Sequence, residues 1–429
     1  MFLNSELSIK SITVIVFRLI GAILTYFMMV LIARLIGVSE FGAFNLGLTI
    51  FVIVGMLSRF GMESVILKNF SRNYKADLGL ALGYLHSSIK ILIIIGVVFS
   101  ILLFQFSEII SISFFDSILL SEVIPILSVG IIPMSFLLVV VSAIKSINHP
   151  IVAAIIQSII VPTIAIVCIA MLWIYDAVNL TNIVFSYIFS IVICSLALFL
   201  LYRKLFFLKN NNSIAKKELL EQGWPMLLVS SGALIMTWAD ILSIGVFLGD
   251  ESVGIYSAAS RTAIVMSLIA VGINSITSPK FSNLYANGEA DKLKNLAKKS
   301  TLLSFWMAVP VSVVTIWQSD NIMLLFGEEF NTGVNVLIIL IISQAVNVMT
   351  GPVAALLAMT GKETSLMAIM MLASIINILL NIILIPNYGL IGAAIATLIS
   401  SLIWNILSMI KVKEHLGFWT VSMPILNFK

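Results

Sequence analysis

The sequence predicts an all-α polytopic membrane protein with twelve transmembrane helices in two six-helix lobes and both termini cytoplasmic. Three observations lead there. Sixty per cent of the 429 residues are hydrophobic, 10% are charged and the mean hydropathy is +1.14, which excludes a soluble domain. Apolar stretches, each near the roughly 20 residues a helix needs to cross a bilayer, fall at 12–36, 43–67, 80–104, 118–144, 151–174, 182–202, 225–248, 253–279, 301–317, 334–360, 364–385 and 389–410. The third observation is where basic residues are missing: every second connection between these stretches contains no Lys or Arg.

Taken in order, Lys10 precedes the first span and Lys68, Arg72 and Lys75 follow the second. Lys145 follows the fourth, and Arg203, Lys204, Lys209, Lys216 and Lys217 follow the sixth. Lys280, Lys292, Lys294, Lys298 and Lys299 follow the eighth, Lys362 the tenth, and Lys411, Lys413 and Lys429 the twelfth; together these are 19 of the 24 basic residues. The alternate connections hold Glu40, Glu108, Asp116, Asp176, Asp250, Glu251, Asp320, Glu328 and Glu329. Positive charge stays on the cytoplasmic side during insertion, so the pattern orients every span. The net charge of +4 therefore reports topology and not nucleic-acid binding. The first span reads as an uncleaved anchor, and Cys168 and Cys194 read as packing residues inside spans.

The connection 203–223, with Asn210, Asn211, Asn212, Lys216 and Lys217, divides the chain almost midway. The expected organisation is an N-terminal lobe (1–205), a cytoplasmic linker (206–222) and a C-terminal lobe (223–429). An internal repeat supports it: Gly37-Val-Ser-Glu-Phe-Gly42-Ala-Phe44 and Gly249-Asp-Glu-Ser-Val-Gly254-Ile-Tyr256 share Gly-x4-Gly-x-aromatic at an offset of 212. Six helices per half is even, so the halves share orientation, as in parallel-repeat transporters. The polar stretch 282–299 reads as a short amphipathic helix on the cytoplasmic surface.

Five cations fall inside spans, where charge is costly: Arg18, Arg34, Arg59, Lys90 and Arg261. At 1.5 Å per residue, Arg18 lies roughly 12 Å in, Arg59 roughly 13 Å, Lys90 roughly 15 Å and Arg261 roughly 16 Å. Arg34, near an outer end, snorkels or caps. Asn45, Thr49, Met56, Arg59 and Glu63 share a face of the second span; Arg18, Gly21, Ala22 and Thr25 share one on the first. Ser257, Ser260, Arg261, Ser267, Asn274 and Ser278 form a stripe on the eighth. Polar stripes face a wet cavity or another helix. Buried ion pairs, Arg59 with Glu63 or Asp240 with Arg261, are the alternative to a substrate cavity. Only Asp240 is an acid at mid-depth, so a cavity here holds an anion, and guanidinium groups suit phosphate oxygens.

Several runs carry a resemblance. Leu31-Ile-Ala-Arg34-Leu-Ile-Gly37-Val-Ser-Glu40-Phe-Gly42-Ala-Phe44, Leu57-Ser-Arg-Phe-Gly61-Met-Glu63, Gly254-Ile-Tyr256-Ser-Ala-Ala259-Ser-Arg261 and Pro386-Asn-Tyr-Gly389-Leu-Ile-Gly392-Ala-Ala394 resemble, in order, the O-antigen (Wzx-type) polysaccharide flippases of the multidrug/oligosaccharidyl-lipid/polysaccharide exporter superfamily. The resemblance implies two six-helix lobes forming a V-shaped cationic central cavity that works by alternating access. It implies as cargo an undecaprenyl-pyrophosphate-linked oligosaccharide, moved from the cytoplasmic to the periplasmic leaflet of a bacterial inner membrane. Arg18, Arg59 and Arg261 occupy places similar to cations of the lipid II flippase branch. With Lys90, Asn45 and Asn274 they make the expected substrate-binding set. The same branch implies a sodium site at Asp240, Asn377, Asn381 and Thr397, with a backbone carbonyl near Ala393; this sequence has Asn381 where that branch has an acid. Sodium or proton coupling, and partnership with membrane lipids, an O-antigen polymerase and a chain-length regulator, belong to the same expectation.

Other functions fit less well. Export of a different lipid-linked glycan, of capsule or teichoic type, uses the same features. A multidrug antiporter for cationic drugs needs an acidic cavity. An enzyme would need a large outer loop or a catalytic motif, and His86, His149 and His415 are dispersed while the longest outer connection, 318–333, has acids but no His or Arg.

Overall fold

The computed structural model describes residues 2–74, 76–147, 149–203 and 216–420, with side-chain surroundings for all of these except 2–12 and 228–237. Helices follow one another along it: α1 (Phe2–Arg59), α2 (Met62–Asn73), α3 (Leu78–Gln105), α4 (Ile118–Val129), α5 (Ile131–Ser146), α6 (Pro150–Ile155), α7 (Val161–Ile174) and α8 (Leu180–Tyr202). Then come α9 (Lys216–Ile264), α10 (Ser267–Ala286), α11 (Ala290–Trp317), α12 (Ser319–Leu324), α13 (Val334–Met349), α14 (Val353–Met359) and α15 (Glu363–Leu416). In a bilayer every backbone polar group must be satisfied within the chain, and a helix does this locally. Side-chain caps finish several ends: Asp77 accepts from Leu80 N, Ser117 from Leu120 N and Asn179 from Asn182 N.

Among the described residues eight helical stretches are long and apolar enough to cross a membrane, or nine if α4 and α5, bent by 49°, form one span. The chain is a multi-pass membrane protein. Its polarity is inverted accordingly: Ile94, Ile101 and Phe104 on α3 are exposed, while Asn45, Thr49, Asp240, Asn377 and Asn381 are buried. Three of the long helices hold a non-helical glycine: Gly37 at φ 79°, ψ 178°, Gly249 at φ 77°, ψ −174°, and Gly389 at φ 58°, ψ −140°. The first two angles lie in a region that essentially only glycine adopts.

Some expected boundaries shift. The stretch 282–299 is not a separate amphipathic helix: it is the end of α10 and the start of α11, divided at Gly288, whose φ of 71° closes a left-handed turn. The span expected at 334–360 breaks after Met349, because Gly351 is left-handed (φ 81°) and Pro352 cannot continue a helix. The stripe from Ser257 to Ser278 crosses the junction of α9 and α10, where Val265 and Met266 bond three residues back, to Thr262 and Ala263. It is therefore two short stripes on two helices. Of the linker expected at 206–222, residues 206–215 lie outside the described residues, as do Lys75, Lys204, Lys209, Asn210, Asn211, Asn212 and Lys429; Lys216 onward is already α9.

The described chain forms two compact units. One comprises Val16–Leu234 and Leu248–Gly254. Its core packs Met62, Val65, Ile66 and Phe70 of α2 with Leu82 and Leu85 of α3 and Leu137 and Val141 of α5. Ser58 and Ser135 share a buried hydrogen bond of 2.8 Å between helices. The first turns of α9 dock on this core: Tyr84 donates to Glu218 at 2.6 Å and Asn69 to Gln222 at 2.7 Å. Within the same unit the two repeats meet reciprocally. A Cβ on Gly42 would lie 1.7 Å from the Asp250 carbonyl oxygen, and one on Gly254 would lie 2.2 Å from that of Val38. Val38 and Asp250, like Gly42 and Gly254, are 212 apart, so each segment presents to the other the surface it receives.

The second unit comprises Met1–Ile15, Ile235–Phe247 and Ile255–Lys429. Phe281, Leu293, Val353, Leu356 and Val412 form an apolar cluster in it. Thr350, at the break after α13, donates to Asn405 of α15 at 2.7 Å.

Candidate functional site

Two sets of polar side chains bear on function, a hydrogen-bonded cluster in one unit and the other predicted residues at separate positions. The first centres on Asp240, 5% exposed, in the middle of α9. Its Oδ1 accepts from Asn381 Nδ2 at 2.7 Å; its Oδ2 accepts from Thr397 Oγ1 at 2.5 Å and Tyr256 Oη at 2.7 Å. Asn381 Nδ2 also lies 3.2 Å from Asn377 Oδ1, and Asn377 donates towards Ser400 at 3.4 Å. Thr397 Oγ1 is 3.1 Å from the Ala393 carbonyl. Helical spacing explains the assembly: Asn377 and Asn381 are one turn apart before Gly389, and Ala393, Thr397 and Ser400 follow at one-turn intervals after it. Across the turn at Gly389 both stripes reach Asp240, Asn381 at Oδ1 and Thr397 at Oδ2.

The structure thus brings together all four residues expected around a cation, and adds Tyr256. Asn381 Oδ1 is buried without a hydrogen-bond partner. Counted as ligands, the cluster offers two carboxylate oxygens, two amide oxygens, two hydroxyls and a carbonyl. That set suits a hard cation of low charge. Among the described residues no three of His, Cys, Asp and Glu come together as a divalent or transition-metal cage would require. Tyr256 carried a signal in the sequence: it is the aromatic of the second repeat, with a hydroxyl where the first repeat has Phe44.

The second set comprises the remaining predicted cations and amides. Arg59, at the end of α1, is 12% exposed and forms an ion pair with Glu63 on α2. The ion-pair reading of these two residues is therefore realised, and the helix break at Phe60 and Gly61 lies between them. Arg18 on α1 is exposed, as is Lys90 on α3. Asn45 is fully buried, donating to the Phe41 carbonyl at 2.8 Å, and Thr49 donates to the Asn45 carbonyl at 2.8 Å. These bonds stay within their own helix. Arg261 belongs to the unit of Asp240, half-buried, with its guanidinium 5.8 Å from the Trp238 ring centroid, within cation–π range. Asn274 is half-buried on α10. The substrate-binding set predicted from sequence thus divides by unit: Arg18, Arg59, Lys90 and Asn45 in one, Arg261 and Asn274 in the other.

Comparison with known proteins adds three findings. A family model described as "Polysaccharide biosynthesis protein" matches residues 31–335. The chain is 30% identical over 210 residues to the "Probable low-salt glycan biosynthesis flippase Agl15" of Haloferax volcanii, covering 46% of this chain and 44% of that protein. It is 23% identical over 196 residues to the "Capsular polysaccharide biosynthesis protein CapF" of Staphylococcus aureus, covering 45% and 49%. The chain thus spans a little under half the length of these relatives. Among solved structures, "Lipid II flippase MurJ, inward closed conformation" superposes with a TM-score of 0.76 at 18% identity, over 96% of this chain and 88% of that one. An inward-facing MATE-family multidrug resistance transporter of the MOP superfamily superposes at 0.81 with 15% identity, over 95% and 98%. The fold is shared with both.

Proposed function

We propose, from the premise that the chain belongs to the polysaccharide biosynthesis protein family, that it is a flippase for a lipid-linked glycan. The specific cargo in this reading is an undecaprenyl-pyrophosphate-linked oligosaccharide, an O-antigen repeat unit. It passes from the cytoplasmic to the periplasmic leaflet of a bacterial inner membrane. The observation that carries the reading is the sign of the intramembrane charge. Arg18, Arg59, Lys90 and Arg261 stand against Glu63 and Asp240, and Asp240 is enclosed by its own hydrogen bonds. Net positive charge inside a membrane is expensive, and a phosphate-bearing headgroup is a counter-ion that offsets it. Such a headgroup cannot cross hydrocarbon unaided, whereas a polyprenyl tail stays in lipid.

In this proposal Arg18, Arg59, Lys90 and Arg261 hold the anionic headgroup, with Asn45 and Asn274 as polar contacts. Asp240, Asn377, Asn381 and Thr397 form the coupling site for sodium or a proton. Twelve spans in two six-helix lobes, joined through 206–222 with both termini cytoplasmic, follow if Gly37, Gly249 and Gly389 each divide a long helix into two crossings. Their non-helical angles support that division. Membrane lipids, the O-antigen polymerase and the chain-length regulator are the proposed partners.

Complementation tests the reading. The chain is expressed in a bacterium lacking its O-antigen flippase and supplied with a matched sugar cluster. Lipopolysaccharide ladders are expected to return, and to vanish with Arg18→Ala or Arg59→Ala while the protein stays in the membrane. Ladders that persist in both variants would remove the cationic headgroup site from the account.

A further inference from the structure

Lys145 reads in the sequence as a marker of the cytoplasmic side, but its surroundings give it a second role. It closes α5 half-buried, and its ammonium donates to Gln157 Oε1 at 3.2 Å. The charges of Arg18 and Glu63 act on it, and Glu63 is the partner of Arg59. Lys145 is thus within electrostatic reach of Arg18 on α1 and of Glu63 on α2, the residue that holds Arg59. All belong to one compact unit.

The local backbone fixes this arrangement. Residues 156–160 wind as a π-helical turn, a feature that re-aims side chains and recurs at functional sites. Gln157 lies in that turn, and its neighbour Ser158 touches α1 directly: a Cβ on Gly21 would stand 2.4 Å from both the Cβ and the carbonyl oxygen of Ser158. Gly21 lies three residues beyond Arg18, so the crossing holds Arg18 near the turn that carries Gln157. With Oε1 bound to Lys145, the Gln157 amide nitrogen offers N–H donors alongside the ammonium.

We infer that Lys145 and Gln157, together with Arg18, form a subsite for a diphosphate, Lys145 and Arg18 supplying charge and Gln157 a neutral donor. The inference rests on the flippase reading and names two residues that hold the headgroup at the cytoplasmic end of its path. The chemistry is shared by a lipid diphosphate and by free pyrophosphate, so both serve as probes.

Binding is measured on the purified full-length protein with farnesyl diphosphate, inorganic pyrophosphate and uncharged farnesol. The parent is expected to prefer farnesyl diphosphate to farnesol. Lys145→Gln should weaken farnesyl diphosphate by about tenfold, the scale of one charge-assisted contact; Gln157→Ala should weaken it by about threefold, as a neutral hydrogen bond does. Lys145→Arg should stay within about twofold, because it keeps the charge, and Lys294→Gln on α11 should bind as the parent does. Competition by inorganic pyrophosphate would assign recognition to the diphosphate itself; its failure to compete would assign it to a lipid-borne diphosphate. Lys145→Gln and Gln157→Ala both binding like the parent, while Arg18→Ala loses the probe, would overturn the subsite and leave the flippase reading standing. Equal affinity of the parent for farnesol and farnesyl diphosphate would overturn both. Elution volume and apparent Tm, unchanged in each variant, separate a binding loss from a folding loss; should Lys145→Gln fail to fold, Gln157→Ala decides alone.

Discussion

The corners at Gly37 and Gly249 are built alike and used differently. Both glycines adopt nearly the same angles, and each is followed five residues later by a glycine packed on a backbone carbonyl of the other segment. Seven residues after each corner stands a buried aromatic. Phe44 meets Tyr187 edge-on at 6.0 Å, whereas Tyr256 turns its hydroxyl to Asp240 at 2.7 Å. Nine residues before the corners the pair is Met28 and Asp240, both buried. One backbone frame thus supports a plain packing corner in one place and a polar cluster in the other. A hydroxyl and a carboxylate separate them, so the frame itself is structural and the polar cluster belongs to one copy only.

The largest effects should come from the frame itself. Gly37→Val and Gly249→Val each place a β-branched residue where essentially only glycine fits, costing on the order of 3 kcal/mol. The apparent Tm of the detergent-solubilised protein should fall by similar amounts in the two variants. A fall at one corner with none at the other would break the equivalence.

Next come the reciprocal exchanges of the aromatics. Tyr256→Phe removes one of the two hydroxyls on Asp240 Oδ2, and Phe44→Tyr adds a hydroxyl at a fully buried position; each should cost about 1–3 kcal/mol. Only Tyr256→Phe should also alter dependence of transport on sodium or pH, measured in reconstituted vesicles. A matching change in Phe44→Tyr would show that the polar cluster has no special part in coupling. Smaller again is Asn377→Ala, whose bonds to Asn381 and Ser400 are long. A loss of about 1 kcal/mol or less is expected, and an apparent Tm shift as large as that of Tyr256→Phe would place Asn377 at the centre of the cluster instead of its rim.

Much of this was legible in the sequence. Apolar stretches and the alternation of basic connections follow from bilayer thickness and insertion, and need no tertiary information. The repeat could be read because glycine at a forbidden angle leaves no substitute. The grouping of Asp240, Asn377, Asn381 and Thr397 came through family resemblance, since residues 157 apart carry no local sign of contact. The repeat marked Tyr256 by its hydroxyl, but not which group that hydroxyl would reach. Lys145 escaped because counting charge by side of the membrane says nothing of where an ammonium turns. The breaks at Gly130, Val265 and Thr350 were hidden by continuous hydropathy, which records burial in lipid and not the direction of the axis.

The most direct measurement of the central claim is translocation in vesicles. The purified protein is reconstituted with a polyprenyl-diphosphate-linked oligosaccharide confined to one leaflet, and its arrival at the other is followed by a lectin or a glycosidase. The account predicts protein-dependent appearance of the glycan, lost in Arg18→Ala and Arg59→Ala and retained in Lys294→Gln. Translocation no faster than in protein-free vesicles, with the protein folded and inserted, would contradict it.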